Sequence, residues 1–110
     1  MKEKYISSLR ALELASREAN GLINVMEKYE PESSVVQSLY SLSHVHMQLL
    51  RLEIDNYKQT CEDYIVFLSG QNMPDLIKKI SQDSSEKTMK AESIYDKLSG
   101  ILSNTARFNR

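Results

Sequence analysis

The side chains through which this chain could do chemistry are two histidines, His44 and His46, a single cysteine, Cys61, and scattered serines and carboxylates. Their spacing argues against most of it. Two residues apart on a helix, His44 and His46 point about 200° away from one another, so they cannot grip one metal ion. His46 shares a face with Leu42 and Leu49, and the next acid in line, Glu53, is two turns away. That setting suits a partly buried polar residue at a helix contact rather than a metal ligand. A carboxylate-bridged di-iron bundle needs Glu-x-x-His pairs on two helices, and the chain has none. Cys61 falls between Tyr57 and Tyr64 on an apolar seam, the environment of an inert core thiol. The serines have no glycine-flanked elbow, and no glycine-rich loop could cradle a phosphate. The expectation is a non-enzymatic protein with no catalytic residue, no cofactor and no bound metal.

A histidine on a long helix in a chain of this size resembles, in architecture alone, the histidine phosphotransfer domains, helical bundles with one exposed phosphorylatable histidine. Those domains place a lysine and a small residue soon after that histidine. Here Val45, His46, Met47 and Gln48 follow His44, a departure that weakens the resemblance. What it implies, a phosphoryl acceptor at His44 or His46, therefore ranks behind the binding readings below.

The elements that must position these residues read as helices. Tyr5, Leu9, Leu12, Ser16, Ala19, Ile23 and Met26 recur at alternating steps of three and four, with Ala15, Leu22 and Tyr29 beside them, predicting a helix over Lys2–Tyr29. Asn20-Gly21 is a turn signal, but the apolar phase runs through it, so a close-packing glycine inside one helix is expected, with a break into two shorter helices as the alternative. Pro31 ends the element. Ser34 with Gln37 forms a capping-box pattern that starts a second helix at Val35.

Val36, Tyr40, Met47, Leu50, Ile54, Tyr57, Cys61, Tyr64 and Leu68 then keep one heptad phase, with Ser43 its only polar member, as far as Gly70, a suitable helix C-cap. A second stripe of Val35, Leu39, Leu42, Leu49 and Leu52 runs beside the first, so this half of the helix is expected to be covered from two sides. Pro74 and Asp75 suit the first turn of a third helix. That helix runs to about Asn104, and its polar stretch Ser81 to Lys90, with a possible fresh cap at Asp83 and Glu86, leaves open whether it is split. Asn104, Arg107, Asn109 and Arg110 point to fraying at its end. The fold class expected is all-α: an elongated up-and-down bundle of three long helices, or four if the third is split, forming a single helical domain over residues 1–110.

Composition restricts the function. Fourteen basic and 15 acidic side chains leave a formal net charge of -1, with no block of one sign, so nothing draws the chain to nucleic acid. The basic residues from Lys78 to Arg110 are diluted by acids and read as a solvated face. The longest apolar run, Tyr64 to Leu68, is far short of the roughly 20 residues needed to cross a bilayer. A lone cysteine and an N-terminus without an apolar centre make an intracellular location, cytoplasmic or nuclear, the expectation.

What remains is binding. By equal rise from the turn at Gly70, the polar stretch Ser81 to Lys90 lies alongside Tyr57 to Cys61 and covers the seam poorly. Tyr57, Cys61, Tyr64 and Leu68 are therefore the expected partner-binding residues, joining the second helix to another protein or to a second copy. The leading reading is an interaction subunit or adaptor that completes a helical bundle within a larger complex. The alternative is a helical chaperone of secretion or flagellar type, which shields an amphipathic client helix until export.

Overall fold

The computed structural model of the chain describes residues 1–108. Three helices, α1 (Lys2–Met26), α2 (Ser34–Gly70) and α3 (Pro74–Thr105), run up and down, and no strand occurs among the described residues. The all-α, elongated bundle expected from the heptad phases is the fold. Its 37-residue α2, at about 1.5 Å per residue, is as long as the whole molecule, which measures 56 × 18 × 18 Å. The other two helices lie along it.

Local chemistry sets the ends. Helix α1 stops at Met26, three residues before the expected Tyr29. The amides of Lys28 and Tyr29 reach back only three residues, to the carbonyls of Val25 and Met26, so the helix tightens and unwinds ahead of Pro31. Gly21 does sit inside one continuous helix, but a Cβ there would meet nothing within 4 Å, so it is not a close-packing glycine. The cap of α2 lies one residue earlier than expected: Ser33 Oγ accepts from the Val36 amide at 3.2 Å. Gln37 does not close a capping box, because a cap at Ser33 puts Val36, not Gln37, at the third helical position. Its side chain donates to the Pro31 carbonyl at 2.7 Å instead.

Helix α2 runs through Gly70, and the left-handed residue of the connection is Asn72, at φ 55°. Asparagine is one of the few residues that tolerate this conformation. Pro74 then opens α3 with Asp75 in its first turn. Helix α3 is unbroken. Between the buried Ile80 and Ala91 that flank the polar stretch, its inner face carries the half-buried Ser84 and the buried Thr88, small residues that keep the helical phase where large apolar ones are missing. Order extends through the buried Thr105, while Asn109 and Arg110, in the expected frayed end, lie outside the described residues.

One apolar core runs the length of the bundle, built from Leu12, Ala19, Ile23 and Met26 of α1, Val36, Leu50, Ile54 and Tyr57 of α2, and Ile80, Ala91, Leu98 and Leu102 of α3. The polar exception in the α2 phase, Ser43, is fully buried and donates to Met26 Sδ at 3.6 Å. Among the described residues, no helix is long and apolar enough to cross a membrane.

Candidate functional site

The residues expected to meet a partner are part of the bundle's own interior. Tyr57, Cys61, Tyr64 and Leu68 are 0 %, 2 %, 6 % and 2 % exposed. The cover comes from α1, whose antiparallel course brings Tyr5 against both Tyr57 and Tyr64, with ring centroids 6.1 and 5.3 Å apart. Such tilted aromatic pairs add about 0.5 to 1.5 kcal/mol each beyond their burial. The expectation of a docking contact through these four side chains is therefore corrected: the distal seam is closed by α1, which the comparison of α2 with α3 alone left out.

The register expected for α3 does hold, and it leaves a trace. Lys58 Nζ stands 3.9 Å from Glu92 Oε2, and Ser81, Ser84, Ser85 and Thr88 lie opposite Cys61 and Ile65. Their small side chains leave a groove of about 510 Å³ between α2 and α3, with the buried Cys61 at its floor. A second groove of about 260 Å³ opens between α1 and α3, lined by Glu13, Ser16 and Arg17 on one side and Lys87 and Lys90 on the other.

The Tyr57 hydroxyl is buried with no partner in hydrogen-bond geometry. Burial, reinforced by the neighbouring Tyr5 and Cys61, pushes its ionisation far above the ordinary phenol value of 10.0. Burial also raises Tyr5. In both, burial is the largest cause, the behaviour of phenol hydroxyls held in an apolar core.

His44 and His46 take separate roles. His46 Nδ1 faces Glu18 Oε2 of α1 at 3.4 Å, a cross-helix contact to an acid that spacing along α2 alone did not identify. His44 stacks on Tyr40 and its Nε2 lies 3.3 Å from Gln48 Nε2 on the outside of the bundle. Among the described residues no three His, Cys, Asp or Glu side chains gather closely enough to hold a metal ion.

The surface feature that stands out lies on the proximal half of α2. Leu42, Val45, Leu49 and Leu52 are 48 %, 52 %, 45 % and 60 % exposed. With steps of three, four and three they fall within about 80° of the helix circumference, on the side turned away from the core. The second stripe was expected to be covered from two sides; in the structure Leu39 and Val35 are partly buried, whereas Leu42, Leu49 and Leu52 are not. A three-helix bundle supplies α2 with two neighbours, and both sit toward its inner face.

Charge marks the same segment. Residues 33–50 contain no Asp, Glu, Lys or Arg, although such residues make up 26 % of the chain. The first charge beyond this gap, Arg51, turns sideways toward α3, bonding Asp55 Oδ1 at 2.7 Å and lying 5.5 Å from the Tyr95 ring centroid. Its guanidinium holds the Asp55 carboxyl below the usual range. Depletion of charge around exposed aliphatic side chains is the composition of an interface centre. The gap between Glu32 and Arg51 is visible in the sequence itself.

Comparison of the chain with models of protein families, with curated proteins and with solved structures finds no match.

Proposed function

We propose that this protein is a non-enzymatic helical interaction subunit that docks another polypeptide on the outer face of α2. The observation that carries the reading is the coincidence of three exposed aliphatic side chains, Leu42, Val45 and Leu49, with the charge-free segment 33–50, the exposed Leu52 continuing the stripe just beyond it. A solvated helix face in a chain this rich in charge would be expected to carry several Lys or Glu residues. An apolar stripe at steps of three and four suits the apolar face of a partner helix, by the helix-against-helix mode of recognition. The bundle behind it is a rigid support, since Val36, Leu50 and Ile54 anchor the opposite face of the same helix.

Affinity capture with the full chain tests this reading. Leu49→Glu places a charge in the centre of the stripe at a half-exposed position, so the chain keeps its helical circular dichroism. A protein that co-purifies with the native chain is lost from the variant. Equal recovery with both chains would overturn the assignment of the face.

A further inference from the structure

Along α3, Lys87 and Lys90 alternate with acids, and in sequence their charge is diluted. The fold separates the two signs. Glu92 is turned toward α2, where its Oε2 stands 3.9 Å from both Arg51 Nη1 and Lys58 Nζ. Glu86 is exposed and does not line the groove between α1 and α3, whereas Lys87 and Lys90 do, with Arg17 supplied by α1. Glu13, Ser16, Arg17 and Asn20 follow one another at steps of three, one and three, which sets all four on one face of α1. Small residues make the hollow: Ser16, a polar member of the α1 phase, and the buried Ala91 leave space between the helices. Leu12 and Ile94 complete an apolar floor.

We infer that this groove is a binding site for a small soluble phosphomonoester, held by Arg17, Lys87 and Lys90. Three cations and one carboxylate leave the groove with two positive charges, and among the described residues none of the four is held in an ion pair. A phosphomonoester carries about -1.5 to -2 at pH 7 and balances this excess, whereas a single carboxylate leaves one positive charge over. The planar fork of Arg17 can meet two phosphate oxygens, and the lysines act as point charges beside it. Ser16 and Asn20 offer donors to the remaining oxygens, and Glu13 an acceptor for a hydroxyl of the organic part. The volume of about 260 Å³ is just below the roughly 300 to 1,000 Å³ of drug-sized pockets, which selects a compact molecule over a nucleotide. Every lining residue belongs to α1 or α3, so the site is independent of the docking face proposed on α2.

Titration of the full chain with glycerol phosphate, followed by nuclear magnetic resonance at constant ionic strength, tests the site. Backbone amide shifts should saturate and concentrate in residues 13–20 and 87–94, while acetate at the same concentration gives no saturable shift. Lys87→Gln combined with Lys90→Gln should weaken binding about tenfold, the loss of two charge-assisted contacts, with helicity unchanged because both positions are exposed. Lys78→Gln combined with Lys79→Gln removes the same charge from exposed positions of α3 outside the groove, and should bind as the native chain does. Equal weakening in the two double variants would overturn the site in favour of diffuse surface charge. A native chain without saturable shifts, or one that answers acetate as strongly, would overturn it outright. Phosphatidylcholine vesicles with and without phosphatidic acid present the same phosphomonoester on a membrane. Co-sedimentation with the phosphatidic acid vesicles and no response to glycerol phosphate would overturn the soluble ligand.

Discussion

Leu49 and Leu50 are adjacent, chemically identical and set in opposite environments, which makes them a controlled test of the faces assigned to α2. Leu50 is fully buried and belongs to the core, whereas Leu49 is 45 % exposed on the outer stripe. Replacing a fully buried leucine by alanine costs about 2 to 5 kcal/mol, as lost transfer energy plus the cavity left behind. Leu50 lies near the middle of the longest helix, with core residues on either side in Ser43 and Ile54, so its site cannot collapse as a terminal one could. The upper half of that range, about 3 to 5 kcal/mol, is expected. At roughly 4 °C per kcal/mol for a chain of this size, the melting midpoint falls by about 12 to 20 °C. Leu49→Ala, at a position with open space outside it, stays within about 0.5 kcal/mol of the native chain. Urea unfolding followed by circular dichroism measures both, with similar slopes if only stability changes. Equal losses for the two variants would refute the orientation of α2, and with it both the core and the proposed docking face.

Other outcomes follow from the interior. Tyr57→Phe removes a buried hydroxyl that has no partner and keeps the ring against Tyr5, so it should raise stability by about 1 kcal/mol in the same unfolding assay; a loss of that size would mean the hydroxyl is bonded. Gly21→Ala adds a methyl into open space within α1 and should stabilise by about 0.5 to 1 kcal/mol, against destabilisation if the glycine were packed. Because the folded-state ionisation of Tyr57 is raised above 10.0, its contribution is fully present below pH 10.0 and is lost as pH rises further, when only the unfolded chain can ionise. Stability should then fall by about 1.4 kcal/mol per pH unit for this residue, and its phenolate absorbance should appear together with loss of helix; ionisation in an intact fold would contradict its burial.

Much of the fold was legible because one heptad phase in α2 survives from Val36 to Leu68 and proline marks both connections. The places that escaped were decided by neighbours. Gln37 has the right spacing from Ser34 for a capping box, but the helix caps one residue earlier, at Ser33, which leaves Gln37 a position too far along. Ser81 to Lys90 looked like a break because large apolar residues are missing, and small ones filled the inner positions of a helix that continues. The candidate site failed for a related reason. Tyr57 and Tyr64 looked uncovered when α2 was compared with α3, but a third helix can close the same seam, and Tyr5 does. Conversely, Leu42, Leu49 and Leu52 looked like core by hydrophobicity, and only the number of neighbours a three-helix bundle provides shows that they lie outside it.

In the proposed arrangement the outer face of α2, and not the groove between α2 and α3, meets another polypeptide. Quantitative affinity capture with three full-length chains compares the two surfaces directly: the native chain, Leu49→Glu on the stripe, and Ser85→Glu at an exposed position of the groove. All three should fold to the same helicity. Recovery of the bound protein, a second copy included, should fall at least tenfold for Leu49→Glu and stay at the native level for Ser85→Glu. Loss with Ser85→Glu and full recovery with Leu49→Glu would move the contact to the groove and contradict the account.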